Sequence, residues 1–484
     1  MSIGVVWGLV FGFIPGLSAI VGMAIFLPFV FFLPAEHALP LMVAMGSVVF
    51  TGGSISAILL NVPGTGANAA TLIDGFPMTQ QGKAGRALGA ALVSSASGGV
   101  LTVFFALAMI PLVLMIVMGI TSADTVFIVL LGIAFIAVLG AGSMVTGLIS
   151  GCLGLLISFV GFENVSGMSR FTFGSVYLYE GIALVPLALA LFAIPEMIAL
   201  TAKGGTISVR TDSTVKGMSG VLEGAKDVFR HWGLWLRCSV IGYIIGIIPG
   251  IGGAAATFIA YGQAKQISKY PEKFGTGVVE GVIAPESANN AKEAGALLTT
   301  LALGIPGSAE MAVLLGGLLM VGLIPGPAML TEHIGLSMTL ILVIVAANVM
   351  GVLICLPLAH RIAKIAMVPA RLIVPVVTVL VFVGAFSVRQ ELLDLVVILA
   401  FAVLGMAMRQ FGFNRPALFL GFVLGRIFEN YLFIALQISG PLFFMRPISL
   451  TLIVLIVAII AYGPVRGIIQ RKVSAKKYKG GIYL

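Results

Sequence analysis

Charge is what this sequence has least of: Asp, Glu, Lys and Arg together make up 9% of its 484 residues. A folded domain surrounded by water carries about a quarter charged residues, so an ordinary soluble protein is excluded. Cysteine is nearly absent. Cys152, Cys238 and Cys355 stand far apart in apolar surroundings, which excludes a disulfide framework or a Cys-x-x-Cys metal motif and leaves them as packing residues. Histidine is as rare. His37, His231, His333 and His360 stand singly near the ends of apolar runs, so no His-x-x-x-His pair holds a metal and no base sits beside a nucleophile for hydrolysis. A phosphate-cradling Gly-x-x-x-x-Gly-Lys-Ser/Thr loop is also missing, because Gly82-Lys83 lacks the earlier glycine and is followed by Ala84. No cofactor, no enzymatic chemistry and no ATP hydrolysis by this chain are therefore expected.

What is there is apolar surface. Hydrophobic residues make up 60% of the chain and the mean hydropathy is +1.16, which points to an all-α, multi-pass membrane protein. The net charge of +9 could suggest nucleic acid as a partner. The Lys and Arg, however, cluster in a few loops between apolar runs, as in positively charged cytoplasmic loops, and nucleic-acid binding is excluded. Met1 to Leu33 has neither a basic start nor a small-residue cleavage site, so it does not read as a signal peptide.

Four of the apolar runs are interrupted by the same device. It occurs at Gly12 to Leu17 (GFIPGL), Asn61 to Gly66 (NVPGTG), Gly246 to Gly252 (GIIPGIG) and Gly304 to Ser308 (GIPGS). Proline lacks an amide donor and glycine permits backbone angles other residues avoid, so a helix stops at each. In lipid a broken backbone is tolerable only where it lines a protein-walled cavity and finds a partner there. Pro249 follows Pro15 by 234 residues and Pro306 follows Pro63 by 243. The chain thus reads as a duplicated unit, and interrupted segments at matching positions of two halves point to a transporter's binding site.

The basic residues orient the halves. Lys83 and Arg86 mark one cytoplasmic loop, Lys203 to Arg237 marks the strongest, and Arg466 to Lys479 makes a cytoplasmic tail, whereas Glu332 and His333 lie on a side without basic residues. Residues 1–201 form a first repeat and 238–465 a second of inverted topology, each with a re-entrant hairpin and a discontinuous transmembrane helix. Between them, 202–237 is a cytoplasmic loop in which Met218, Val221, Leu222, Ala225, Val228, Phe229 and Trp232 recur at helical spacing opposite Glu223, Lys226, Asp227 and Arg230. That pattern predicts an amphipathic helix lying flat at the interface. Residues 466–484 are the tail.

Several long stretches carry a resemblance. Asn61 to Leu92, Gly246 to Tyr261, Phe274 to Pro327 with APESANNA and LALGIPGSAEMAVLLGGLLMVGLIPGP, and Leu424 to Ser449 with GRIFENYL are similar to the large membrane subunit of the tripartite tricarboxylate transporters. The resemblance implies a bacterial inner-membrane permease that receives a carboxylate from a periplasmic binding protein, works with a small four-helix-type membrane subunit, and is driven by a Na+ or H+ gradient. It also implies a helical segment before the first break, where this chain opens almost directly into it. Ser18 stands where the family usually has glycine, a difference that bears on substrate choice.

Beside the resemblance, the residues at the breaks suggest roles of their own. Pro15, Gly16, Pro63, Gly64, Pro249, Gly250, Gly252, Pro306 and Gly307 free backbone groups for a ligand. Ser54, Ser56, Thr65, Asn68, Thr299, Thr300 and Ser308 put hydroxyls and amides beside the two crossing breaks, able to bond a carboxylate without a fixed countercharge. Asn61, Asn289 and Asn290 offer amide oxygens for Na+. Any one of these Ser or Thr can instead bond back to its own helix. Of the acids near the breaks, Glu310 is the foremost candidate for ion coupling and Glu286 the next, while Asp74, Glu286 and Glu293 have a loop or cap role as the other reading. One site shared by two opposed hairpins has to face each side in turn, which suggests an elevator: the broken segments slide against a frame of unbroken spans and the flat helix, and glycine-rich faces such as Gly98-Gly99 and Gly316-Gly317 allow sliding. A passive channel, or the membrane component of a differently energised uptake system, is the alternative.

Overall fold

Every long apolar run is helical where the structure describes it, as lipid demands of a backbone that must satisfy its own hydrogen bonds. The structure is a computed structural model and describes residues 1–14, 17–139, 143–163, 167–203, 218–249, 252–365 and 370–461. In chain order the first helices are α1 (Ser2–Phe13), α2 (Ala19–Val30), α3 (Ala35–Leu60), α4 (Ala69–Gln80), α5 (Ala84–Val117), α6 (Ser122–Leu139) and α7 (Met144–Ser158). Then come α8 (Leu184–Ala188) and α9 (Ile194–Lys203), joined through one π-helical turn, and α10 (Met218–Arg230), α11 (Trp232–Ile247), α12 (Gly252–Ile267), α13 (Glu280–Leu303), α14 (Ala309–Met320) and the short α15 (Pro327–Leu330). The last are α16 (Ile334–Ile365), α17 (Ala370–Arg389), α18 (Leu393–Gln410) and α19 (Arg415–Ser439), followed by a helical stretch Pro447–Ala461. Among the described residues, six helical segments are long and apolar enough to cross a membrane. Large apolar side chains such as Phe104, Leu353 and Val403 are exposed on them, as lipid-facing residues are.

Helices stop at all four sequence interruptions. Between α1 and α2, Ile14 is extended and the Ser18 hydroxyl caps α2 by accepting from the Val21 amide at 3.4 Å. Between α3 and α4, Asn61 takes the left-handed conformation (φ 56°), which Asn tolerates better than most side chains. Gly304 does the same at the end of α13 (φ 68°), and the Ser308 hydroxyl caps α14 from the Met311 amide at 3.3 Å. The third interruption leaves Ile248 extended and resumes at Gly252. Pro15, Gly16, Gly250, the middle of the 202–237 loop and the basic tail lie outside the described residues.

Two compact units divide the chain. Residues 1–119 and 182–407 form the first, which contains all four interruptions. In it α13 is the central element, packed against α5, α11 and α12, while α3 carries α1 and α16. One buried anchor ties α4 to the start of α13: Asp74 Oδ1 accepts from the amides of Gly275, Gly277 and Val278 at 2.8–3.0 Å, and Oδ2 accepts from the Tyr261 hydroxyl at 2.9 Å. Residues 120–181 and 408–484 form the second unit, where α19 packs on α7 and α6. It contains a two-residue strand pair, Gly161–Phe162 against Ser169–Arg170, too short to leave a period in the sequence.

The amphipathic stretch after residue 217 is helical, with a difference in its polar face. Val221 and Val228 are buried and the helix packs on α5, but Asp227 is buried as well, held by Arg86 at 2.6 Å and by Arg230 at 3.1 Å. A side chain that periodicity assigns to solvent is therefore part of the joint between α10 and α5.

Candidate functional site at the helix interruptions

Close backbone approach is what brings the interruptions together. A β-carbon at Gly64 would run into the Gly12 carbonyl and the Gly53 Cα, so the end of α1 and the second interruption are in contact. The equivalent contact recurs in the other half, where a β-carbon at Gly307 would meet the Gly246 carbonyl and Ala296, each at 2.6 Å. The second and third interruptions meet as well. A β-carbon at Gly253 would touch the Lys292 side chain and Ala67, and one at Gly66 would lie 3.8 Å from Ala254.

Lys292 is the centre of this junction. It is 1% exposed, its ammonium stands 4.0 Å from the centroid of the Phe50 ring, and it is ion-paired with Glu293. Burying an unpaired ammonium would be prohibitive, and the carboxylate together with the ring face supplies compensation. The sequence suggests neutral donors without a fixed countercharge, and the structure adds a buried ammonium, paired with Glu293, at the same junction. Helix α13 starts at Glu280 and carries Lys292 at mid-helix. The run from Glu280 to Glu293 reads as polar because its charged and amide groups are buried against one another and not against lipid.

A chain of hydrogen bonds leads outward from the junction. Both the Thr65 amide and hydroxyl donate to Asn68 Oδ1, at 3.2 and 2.7 Å. Asn68 Nδ2 in turn donates to the Phe50 carbonyl and to Ser54 Oγ, each at 2.9 Å. The Ser54 hydroxyl reaches Glu286 Oε1 at 2.7 Å, and the Thr71 hydroxyl reaches the same oxygen at 2.5 Å. Ser54 also lies 2.9 Å from the Phe50 carbonyl, but its single proton favours the carboxylate, the stronger acceptor. On the same helix Asn290 Nδ2 donates to Thr51 Oγ1 at 2.9 Å and to Asn348 Oδ1 at 2.6 Å.

Glu286, Asn289, Asn290 and Glu293 stand at i, i+3, i+4 and i+7, one face of α13. All four are fully buried, and Glu286 Oε2, both amide atoms of Asn289, Asn290 Oδ1 and Glu293 Oε2 have no hydrogen-bond partner. Native interiors leave few such atoms, so a run of them on one face marks a place built for something else.

The residues picked from the sequence divide accordingly. Ser54, Thr65, Asn68 and Glu286 share one network, and Asn289 and Asn290 lie on its helix. Ser18 and Ser308 are helix caps, while Ser56 bonds the Gly53 carbonyl at 2.9 Å, Thr300 the Ala296 carbonyl at 2.6 Å, and Thr299 the Gly295 and Ile247 carbonyls at 3.0 and 3.3 Å. Pro63, Pro249, Gly252, Pro306 and Gly307 form the interruptions themselves. Asn61 is exposed, unlike the buried Asn289 and Asn290. Glu310, in the first turn of α14, is half-buried and close enough to Glu293 to interact with it electrostatically. Lys292, Phe50, Thr51, Thr71, Ser95 and Asn348 belong to the same buried cluster and are missed by reading the sequence alone. The i, i+3, i+4, i+7 spacing of Glu286 to Glu293 is the signal that could have found this face.

Comparison with known proteins agrees with this architecture. Residues 1–420 match the model of the tripartite tricarboxylate transporter TctA family. The chain is 32% identical over 457 residues to an uncharacterised 52.8 kDa protein in the TAR-I ttuC' 3' region of Agrobacterium vitis, covering 93% of this chain and 90% of that one. A second protein of that organism, in the TAR-II ttuC' 3' region, is 34% identical over 215 residues, 44% of this chain and 89% of its own. With a family match over most of its length and a full-length relative at this identity, the chain belongs to the tripartite tricarboxylate transporter TctA family.

Proposed function

We propose that the protein is the permease of a tripartite carboxylate uptake system and that the carboxylate binds where the second and third helix interruptions meet, against Lys292. The observation that carries the reading is a buried ammonium at that junction, already paired with Glu293. The pair is neutral when no substrate is present, so an entering carboxylate exchanges for Glu293 and can leave again, which a carrier needs and an uncompensated cation would prevent. The hydroxyl and amide protons of Thr65, Asn68 and Ser54, held in the present state by one another and by Phe50 and Glu286, would exchange those bonds for the remaining oxygens of the substrate.

The recurring contacts, Gly12 with Gly64 and Gly246 with Gly307, support two repeats of inverted topology around one shared site. All four interruptions belong to one compact unit, which supports an elevator in which that unit carries the substrate. Helix α10 packs on α5 inside the same unit, so in this mechanism it travels with the carrier, and the frame expected from the sequence loses that helix. A Na+ or H+ gradient drives import across the bacterial inner membrane. A periplasmic binding protein delivers the carboxylate and a small membrane subunit completes the assembly, as the family's tripartite character implies.

The test is counterflow of labelled citrate in proteoliposomes holding the three-part system. The wild type should accumulate label transiently, Lys292→Met should abolish this, and Lys292→Arg should keep part of it. Equilibration without counterflow would mean a pore, and wild-type kinetics in Lys292→Met would remove the site from the junction.

A further inference from the structure

Glu286 is a fully buried carboxylate with no Lys or Arg paired to it among the described residues. Its Oε1 is satisfied twice over, by Thr71 at 2.5 Å and Ser54 at 2.7 Å, while Oε2 has no partner. Asn289 and Ser95 lie beside this carboxylate, close enough to interact with it, yet neither forms a hydrogen bond of ordinary geometry with it. Both are fully buried, and Asn289 Oδ1, Asn289 Nδ2 and Ser95 Oγ are without partners too. Unpaired oxygens from a carboxylate, an amide and a hydroxyl thus lie beside one another in the interior.

Two occupants could satisfy such a carboxylate. A proton on Oε2 would let that oxygen donate to one acceptor only, and would leave the other unpartnered oxygens of Asn289 and Ser95 as they are. A small hard cation needs the opposite arrangement: lone pairs without protons, on oxygens held apart by the ion between them. The formal charge selects among cations. Lys292 and Glu293 neutralise each other, so Glu286 contributes a single negative charge, which one monovalent ion balances and a divalent ion would overbalance in a buried site.

We infer that Glu286 Oε2, Asn289 Oδ1 and Ser95 Oγ form a binding site for one sodium ion on α13, the helix that also carries Lys292. The site deepens the transport reading and rests on it for its role as the coupling ion, though not for the binding itself. The set differs in two members from the three asparagines picked by sequence, since Asn61 is exposed and Asn290, unlike Asn289, is not among the side chains that interact with the Glu286 carboxylate. The hydroxyl bonds of Thr71 and Ser54 fix the carboxylate, and through Ser54 and Asn68 the ion is linked to the second interruption. Bound sodium would thereby order the residues that receive substrate.

Thermal unfolding of the purified full-length protein, in NaCl, KCl or choline chloride at one ionic strength and with no carboxylate present, tests the site. Sodium should raise the midpoint saturably, and potassium and choline should not. Asn289→Ala and Ser95→Ala should each weaken the sodium dependence by about tenfold, while Ser95→Thr, which keeps the hydroxyl oxygen, should stay near the wild type. If Asn289→Ala fails to fold, Asn289→Ser with Ser95→Ala decides the matter. Equal stabilisation by all three salts, sodium dependence unchanged in both alanine variants, or stabilisation that follows pH and not sodium would each overturn the assignment. Because no substrate is present, failure of the citrate counterflow assay would leave this result standing, and the reverse holds.

Discussion

At the residue scale, the chemistry of the two halves is unequal although their backbones repeat. Positions 234 to 243 residues apart keep the same local role. Gly12 and Gly246 receive the neighbouring interruption, Asn61 and Gly304 are both left-handed, and Thr65 and Ser308 both precede the resumed helix. Lys292 and Glu293, by contrast, correspond to Val49 and Phe50. Charge was placed in one copy only, where the aromatic ring of the other lies against it. Thr65 shows how narrowly this is built. Its amide and hydroxyl fix Asn68 Oδ1 so that Nδ2 faces Phe50 and Ser54. Thr65→Ala should cost roughly 0.5–1.5 kcal/mol of stability and weaken carboxylate uptake, with Thr65→Ser close to the wild type. Thermal unfolding and the concentration dependence of citrate uptake check this, and an alanine variant indistinguishable from wild type in both would detach Thr65 from the site.

At the element scale, most helices were legible as apolar runs, but α13 was not legible to its full length. Its first half is rich in Glu, Asn and Lys, and hydropathy treats those residues as facing water, whereas α5, α11 and α12 enclose them. The joint at the start of α13 offers a pH test. His231, between α10 and α11, lies 3.3 Å from Glu280. Its imidazole is held above the ordinary 6.5, first by the hydrogen bond with Glu280, with partial burial opposing. A raised value in the folded protein means that the fold binds the proton more tightly than the unfolded chain does. The stabilisation is then complete below 6.5 and fades as pH rises through the raised value. Wild type should therefore unfold at a higher temperature than His231→Ala at about pH 5.5, and the gap should close at about pH 9. A gap that is constant across that range would mean that His231 contributes packing and no charge.

At the scale of the whole molecule, the inverted orientation remains a proposal that charge asymmetry supports, and it can be measured directly. In a variant lacking Cys152, Cys238 and Cys355, a cysteine placed at His333 should react with a membrane-impermeant thiol reagent from the periplasmic side, and one placed at Lys476 should not. The opposite pattern would reverse the orientation. The sequence by itself determined the membrane class, the family, the positions where helices stop and the pairing of those stops, because each is written in local chemistry: hydropathy over about 20 residues, proline and glycine at fixed places, and spacing between copies. Only the tertiary structure decided which polar groups meet. Lys292 became the centre of the junction, Asp227 a buried joint, and Glu286, Asn289 and Ser95 neighbours, because the surroundings of one helix face are set by the other helices packed on it, drawn here from residues far apart in the chain.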